Sequence, residues 1–187
     1  MTSLNIETKW LSGIRRVPSE NCDQRPLKTE VELVVLHAIS LPPEKFGGNY
    51  IEDFFTNSLD WSADSYFNGL RDLKVSSHLF VDRAGHVTQF VELDKRAWHA
   101  GKSYWKGREA CNDFSIGIEL EGCDSLPFEA VQYDSLVGLL IRVFAIYPSL
   151  KIDSIVGHNE IAPDRKTNPG PLFDWELLRK KIAKLRV

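Results

Sequence analysis

Six residues near the start of the chain, 31–36, form the segment that most constrains the fold. Their sequence, Val-Glu-Leu-Val-Val-Leu, is apolar on both faces of a strand. A strand of this kind lies inside a sheet that is covered on both sides, as in α/β proteins. His37 follows at the carboxyl end of the strand, and ligands usually bind at that end of an α/β sheet. The segment therefore predicts a central strand that delivers His37 to a binding crevice.

A second strand is predicted over residues 114–121, where large apolar residues alternate with small or acidic ones. The alternation places the apolar residues on a core face and the others on the opposite face. Because Ser115 and Gly117 are small, we expect open space beside Glu119. Glu119 is then either a solvent-facing strand residue or a general base that faces a cavity.

The remaining pattern predicts further helices and strands in a single α/β domain that spans residues 1–187. Turn residues and apolar spacing set the approximate limits of each element. The predicted elements are a helix over 50–59 capped by Asn49, a short helix over 66–73, a hairpin of strands 77–81 and 86–92, a helix over 129–147, a strand over 152–156 and a final helix capped by Asp174, with Leu178, Ile182 and Leu185 in its apolar stripe. Residues 1–30 are predicted to be an irregular lead-in, and residues 95–112 a surface loop with aromatic walls.

Composition excludes several classes of function. The net charge of -3 leaves no polybasic surface, so nucleic acid is not an expected partner. The three cysteines are scattered and form no Cys-x-x-Cys pair, which argues against a disulfide framework or a cysteine zinc cluster. The first ten residues lack an apolar signal region, and the longest apolar run, 136–147, is interrupted by Arg142. We therefore expect a cytoplasmic protein without a membrane partner.

Residues 156–171 contain most of the chemically reactive groups and are expected to form an irregular loop, since glycine and proline lie near both ends. The segment carries His158, Lys166 and Asn168. A catalytic zinc site needs three protein ligands and one open position. The imidazoles of His37 and His158, with an oxygen from Asn168, match that requirement. This gives a candidate metal site in which Lys166 lies beside the ion.

Each of these residues also has an ordinary structural interpretation. A single histidine is more often structural or solvated than a ligand, and the chain has five. Lys166 is either a surface lysine or a group that stabilises a developing oxyanion. The aromatic residues Trp98, Tyr104 and Trp105 fit a core cluster and a sugar or peptide platform equally well.

Five segments, taken together, resemble the AmpD-type amidases. They are LHAISLPP (36–43), FGG (46–48), KRAWHAG (95–101), CNDFSIGIELEG (111–122) and GHNEIAPDRKT (157–167). AmpD-type enzymes are cytoplasmic 1,6-anhydro-N-acetylmuramyl-L-alanine amidases, and their wider zinc amidase family includes phage lysozyme-like amidases and peptidoglycan recognition proteins. The similarity runs in order over roughly residues 10–175, which makes it specific.

The resemblance implies a central mixed β-sheet flanked by helices, one zinc ion, and a monomer. The metal ligands of the family fall on His37 and His158, and its catalytic glutamate and lysine fall on Glu119 and Lys166. The implied substrate is an anhydro-muropeptide from wall turnover, cut between the lactyl group of the sugar and L-alanine in peptidoglycan recycling. Substrate contacts are expected from Trp98, Arg108 and Asn112.

Asn168 departs from the family pattern, which has an aspartate as the third ligand in a Lys-Thr-Asp-Pro-Gly-Pro context. The asparagine carbonyl has nearly the same shape but no negative charge, and zinc favours anionic or imidazole ligands. Three explanations stay open at this point. They are a natural variant with weakened zinc binding, an engineered inactive form, and a muropeptide-binding protein without turnover.

Overall fold

The computed structural model describes residues 10–185, without the side chain of Leu185. A six-stranded mixed sheet forms the centre of the molecule. Its strands are β1 (Arg15–Arg16), β3 (Leu33–Ile39), β4 (Leu79–Val81), β5 (Val87–Gln89), β9 (Ser115–Glu121) and β10 (Ile155–Gly157). They lie in the order β1-β5-β4-β9-β3-β10, and only the β4–β5 pair is antiparallel. Four short strands form two separate ribbons: β2 (Cys22–Gln24) with β6 (Lys95–Ala97), and β7 (Tyr104–Trp105) with β8 (Arg108–Glu109).

Helices pack around the sheet and confirm the predicted α/β architecture. The helices are α1 (Tyr50–Phe55), α2 (Ala130–Ile146), α3 (His158–Ile161) and α4 (Trp175–Leu185), with 3-10 turns at Ser65–Leu70, Cys111–Phe114 and Ile152–Ser154. The largest apolar core joins the sheet to α2 and α4. A second core lies around α1, and a third packs α3 and the Cys111–Phe114 turn on the sheet. None of the helices between residues 10 and 185 combines the length and apolar character that crossing a bilayer requires.

The predicted central strand is confirmed, because β3 lies between β9 and β10 and pairs with both in parallel. Residues 33–36 are completely buried. Burial on both faces explains why this strand is a continuous apolar run rather than an alternating one.

Two regions that were expected to be irregular contain regular structure. The lead-in contributes β1 to the edge of the main sheet and β2 to a ribbon, while residues 1–9 lie outside the described part of the chain. The segment 95–112 is not only a surface loop, because it contains β6, β7 and β8 and buries His99 and Ala100 against the sheet. Periodicity does not reveal these strands because each is two or three residues long.

The expected open space beside Glu119 is largely filled. All seven residues of β9 are buried. A Cβ atom on Gly117 would lie 2.4 Å from the ring of His99, so the missing side chain makes room for that imidazole. The small residues on this face therefore accommodate a neighbouring side chain, while Glu119 on the same face borders a cleft.

The carboxyl-terminal third largely follows the prediction. Residues 152–156 divide into a 3-10 turn and β10, and the loop that follows begins with the short helix α3 instead of irregular chain. Asp174 caps α4 as predicted, since the Leu177 amide donates to Asp174 Oδ1 over 2.8 Å. Leu178 and Ile182 are buried, and the side chain of Leu185 lies outside the described residues.

Candidate active site

Three neighbouring strands bring the predicted site residues together at one edge of the sheet. In the parallel β3–β9 pair, His37 lies directly opposite Glu119. Gly157, the last residue of β10, pairs with Leu36, so His158 follows beside His37. Because adjacent strands lie about 4.8 Å apart, this register places two imidazoles and a carboxyl within contact distance.

These side chains border a cleft of about 460 Å³. Its floor carries His37, Glu119 and His158, and the loop after α3 contributes Lys166, Thr167 and Asn168. Further lining comes from the chain after β3, from α1 and from the Ser65–Leu70 turn, and it includes Leu41, Pro43, Phe55 and Tyr66. The sheet edge thus combines a polar floor with a partly apolar wall that suits an amphipathic ligand.

The two histidines face each other through the same ring nitrogen. The Nδ1 atoms of His37 and His158 lie 2.9 Å apart. The other nitrogen of each ring is already engaged: His158 Nε2 donates to the Ala100 carbonyl over 3.1 Å, and His37 Nε2 lies 2.9 Å from His99 Nδ1. A neutral imidazole has one N–H, so both Nδ1 atoms are left with lone pairs.

Protonation does not relieve this contact at neutral pH. Burial, reinforced by the neighbouring imidazoles and Lys166, holds the pKa of His37 well below its usual range. Burial also lowers the pKa of His158 to about 4. Two lone pairs that point at one another repel unless a cation lies between them, so the donor pair fits a metal ion that accepts imidazole ligands.

Asn168 supplies the third potential donor. Its side chain lies beside the His158 ring, and its Oδ1 atom is buried without a hydrogen-bond partner. An unsatisfied buried carbonyl is uncommon and is consistent with an oxygen ligand in the position of the expected carboxylate. Among the residues that the structure describes, no three His, Cys, Asp or Glu side chains form a metal site, since the third donor here is an amide.

Glu119 is buried and partly unsatisfied. Its Oε1 atom lies 3.9 Å from His37 Nδ1, and its Oε2 atom has no hydrogen-bond partner. Burial raises the pKa of Glu119 to about 8, although the charge of Lys166 opposes the shift. A carboxyl with a pKa near neutrality, beside two candidate ligands, suits proton transfer better than a solvent-facing role.

The structure does not bring all of the predicted substrate contacts to this cleft. Arg108 forms an ion pair with Glu32 just before the amino end of β3, and its guanidinium stacks on the Phe114 ring. Asn112 accepts hydrogen bonds from the backbone amides of His99 and Ala100. Neither residue lines the cleft. The side chain of Arg108 is engaged with Glu32 and Phe114, and that of Asn112 holds the backbone of residues 99 and 100.

The aromatic residues of the same segment divide between the two interpretations. Trp98 is half-buried, and its backbone exchanges hydrogen bonds with Ser76 on the cleft wall. Trp105 packs against the core that contains Cys111 and Phe114, whereas Tyr104 is 56% exposed. The core interpretation therefore fits Trp105 and does not fit Tyr104.

His99 is the site residue that periodicity and spacing do not identify. The sequence pattern leaves it among the structural or solvated histidines, yet it is buried and contacts His37 directly. The sequence does contain one signal for this contact: a histidine lies in residues 95–101, and two small residues on β9 leave space for its ring.

The family model for N-acetylmuramoyl-L-alanine amidases matches residues 27–171 of the chain. The 1,6-anhydro-N-acetylmuramyl-L-alanine amidase AmpD of Escherichia coli (strain K12) is 48% identical over 179 residues, which cover 96% of this chain and 97% of that protein. The chain belongs to the N-acetylmuramoyl-L-alanine amidase family. It is an enzyme of the amidase class, and the resemblance seen in its sequence motifs is confirmed.

Solved amidase structures agree with the fold. A crystal structure of a selenomethionine derivative of AmpD superposes with a TM-score of 0.90 at 48% identity, covering 93% of this chain and 97% of that one. The amidase AmiD from Escherichia coli, solved with the substrate anhydro-N-acetylmuramic acid-L-Ala-D-γ-Glu-L-Lys, has a TM-score of 0.59 at 31% identity and covers 84% of this chain and 60% of that one. The mixed sheet flanked by helices is thus the amidase architecture.

Proposed function

We propose that this amidase hydrolyses the amide between the lactyl group of anhydro-N-acetylmuramic acid and L-alanine in muropeptides, as a cytoplasmic monomer in peptidoglycan recycling. The observation that carries the proposal is the pair of facing Nδ1 atoms beside the buried carboxyl of Glu119. The high identity to AmpD amidases supports the choice of an anhydro sugar. The solved AmiD complex supports an L-alanyl peptide as the other half of the substrate.

Zinc is the cofactor that the donor set fits. His37, His158 and Asn168 would hold it through two imidazole nitrogens and one amide oxygen. When bound at such a site, zinc acts as a Lewis acid that polarises a carbonyl group and increases the acidity of water. Because Asn168 adds no negative charge, we expect weaker zinc binding than an aspartate at this position would give.

Glu119 is proposed as the general base, and it then returns a proton to the leaving amine. The pKa of about 8 describes the site without a metal ion, and a cation held by His37, His158 and Asn168 would lower it, so that the carboxylate can accept a proton from water and then release it to the amine. Lys166 lies close enough to lower the pKa of Glu119, so its ammonium can stabilise negative charge on the oxygen of the scissile carbonyl. Among the predicted substrate contacts, Trp98 remains our proposal, because its backbone is hydrogen-bonded to Ser76, which lines the cleft.

Peptide release from purified anhydro-muramyl-L-Ala-D-γ-Glu-L-Lys, followed by chromatography and mass spectrometry, tests the function. We expect release by the natural chain and an increase in kcat/KM of about 10-fold or more for Asn168→Asp at limiting zinc, since changes around a metal typically cost 10–100-fold. Asn49→Asp is the matched control, because it adds the same charge at an exposed position just before α1.

Two other results would be informative. Tight muropeptide binding without hydrolysis by the natural chain, with hydrolysis restored in Asn168→Asp, would make this chain a binding protein in its natural form. Absence of release from both forms would refute the proposed hydrolysis.

A further inference from the structure

A chain of hydrogen bonds with a fixed direction ends at His37. It begins at Ser115 on β9, whose hydroxyl donates to the Cys111 carbonyl over 2.6 Å. A carbonyl oxygen is only an acceptor, so the single hydroxyl proton is committed to Cys111. The Ser115 oxygen also lies 3.1 Å from His99 Nε2 and must therefore accept a hydrogen bond from that nitrogen.

The proton position on His99 in turn fixes the proton position on His37, the candidate ligand. With its proton on Nε2, the neutral His99 ring has a lone pair on Nδ1. That nitrogen lies 2.9 Å from His37 Nε2, which consequently carries the His37 proton and donates it. The remaining nitrogen, His37 Nδ1, is left bare on the side that faces His158 and the cleft.

Ala100, the residue after His99, fixes the proton position on His158 in the same way. The Ala100 carbonyl accepts from His158 Nε2, which leaves His158 Nδ1 bare. Arg165 also donates to the same carbonyl, over 2.7 Å, and helps to hold it in place. The amides of His99 and Ala100 both donate to Asn112 Oδ1, over 3.1 and 2.8 Å, so one side chain holds the two-residue segment in place.

We propose that the segment His99-Ala100 sets the tautomer of both candidate metal ligands, with His99 acting as the positioning residue for His37 through its link to Ser115. This inference rests on the metal site of the proposed function and explains why both bare nitrogens point to one place. Partners of this kind orient ligand imidazoles and typically change metal affinity about 10–100-fold when removed.

His99 also fills the space above Gly117, and this simpler role makes a different prediction. Leucine is nearer to histidine in volume and keeps the space filled, but it accepts no hydrogen bond. Asparagine is smaller, yet its carbonyl oxygen can take the position of Nδ1 and accept the His37 proton. A space-filling role favours His99→Leu over His99→Asn, whereas the positioning role favours the reverse order.

The first measurement is the tautomeric state of the imidazoles in the full chain. Long-range ¹H–¹⁵N spectra of zinc-free, ¹⁵N-labelled protein distinguish a protonated Nδ1 from a protonated Nε2. We expect His37, His99 and His158 to carry their protons on Nε2 in the natural chain. A His37 proton on Nδ1 would overturn the proposal, and this experiment requires no variant to fold.

The second measurement is the dissociation constant for zinc itself, determined by competition with a chromophoric chelator. We expect His99→Leu to weaken zinc binding about 10–100-fold and Ser115→Ala to weaken it about 10-fold, as for other partners of ligand imidazoles. The dissociation constant for zinc of His99→Asn should remain within about 3-fold of that of the natural chain, because asparagine still accepts the His37 proton. Ser77→Ala is the control, because Ser77 is equally buried and donates to the Leu79 carbonyl outside this chain of bonds.

The outcomes separate the two proposals. Equal zinc affinity in His99→Leu and the natural chain, or weaker binding in His99→Asn than in His99→Leu, would overturn the positioning role while leaving the metal site intact. Absence of zinc binding in the natural chain would refute the proposed cofactor, and the tautomers measured in the zinc-free protein would still decide the role of His99.

Discussion

The Glu119 carboxyl is buried with few hydrogen-bond partners, and this environment sets its pKa. It is 8% exposed, one carboxyl oxygen has no hydrogen-bond partner, and the charge of Lys166 only partly offsets its burial. Burial without compensating donors favours the neutral acid, which is why the pKa rises to about 8. The same feature that prepares the group for proton transfer therefore makes the carboxylate costly in the folded protein.

Replacement of Glu119 by glutamine should separate binding from hydrolysis. Glutamine keeps the shape but accepts no proton, and loss of a general base typically lowers the rate about 10²–10⁴-fold. We expect Glu119→Gln to reduce kcat by that factor while the dissociation constants for zinc and muropeptide change little. Glu109→Gln, at an exposed position on β8, is the control. Unchanged turnover in Glu119→Gln would remove Glu119 from the mechanism.

Glu119 should also make the stability of the zinc-free protein depend on pH. The folded state holds the proton up to about pH 8, whereas a glutamate in the unfolded chain releases it near its ordinary pKa of 4.5. The unfolded state then binds fewer protons between these values, so the free energy of unfolding falls as pH rises through this window.

Glutamine at this position lacks that penalty. We expect urea denaturation of zinc-free Glu119→Gln to show stability similar to the natural chain near pH 4.5 and greater stability at pH 9, by on the order of 5 kcal/mol. A difference that does not change with pH would show that the carboxyl is ionised in the folded state.

At the scale of an element, β9 shows how a strand can position a side chain that comes from elsewhere. Its apolar residues secure it in the core, and its register with β3 sets Glu119 opposite His37. Gly117 has no side chain where the His99 ring lies, so the strand also shapes the support of the candidate ligand.

A methyl group on Gly117 should therefore disturb both stability and metal binding. Its Cβ would lie 2.4–2.7 Å from three atoms of the His99 ring, so the imidazole must move. We expect Gly117→Ala to lower the free energy of unfolding by about 1–3 kcal/mol, as overpacking of a core does, and to weaken zinc binding. Chemical denaturation and chelator competition measure the two effects.

Gly138→Ala provides the contrast, because Gly138 is exposed on α2 and no atom lies within 4 Å of the position that an alanine methyl group would occupy there. Removing a glycine from the interior of a helix should stabilise the protein by about 1 kcal/mol. A neutral or stabilising Gly117→Ala would contradict the packing of His99 on β9.

The elements that could be predicted share strong local patterns. The run of apolar residues in β3, the alternation in β9 and the long apolar face of α2 each indicate an element within a few residues of the observed limits. By contrast, β1, β2 and β7 were not predicted. They contain two or three residues each, and pairing with a distant segment stabilises them rather than their own composition.

At the scale of the whole molecule, the burial of four imidazoles links folding to pH. Burial lowers the pKa of His78 to about 3 and of His158 to about 4, and holds the pKa values of His37 and His99 well below the usual range. These rings are neutral when folded and bind protons when unfolded below about pH 6.5. Stability should therefore be present above pH 6.5 and be lost as pH falls.

We expect the free energy of unfolding of the zinc-free protein to fall steeply between about pH 6.5 and 5. Each buried imidazole contributes about 1.4 kcal/mol per pH unit, and Glu119 opposes the trend as one group against four. Urea titrations across this range measure the slope. His78→Gln should reduce the slope by about one proton. A flat profile would show that the imidazoles are not buried in their neutral form.

The sequence by itself determined the amidase family and the central strands, and it proposed His37, Glu119, His158, Lys166 and Asn168 as site residues, because these depend on local pattern and on motifs kept in order along the chain. Only the tertiary structure decided which ring nitrogens face the cleft. It brought residues 99 and 100 against side chains from β3 and α3, and it showed that Arg108 and Asn112 support the segment instead of lining the cleft. Proton direction in a buried network depends on every partner at once, and such long-range contacts leave no periodic signal in the sequence.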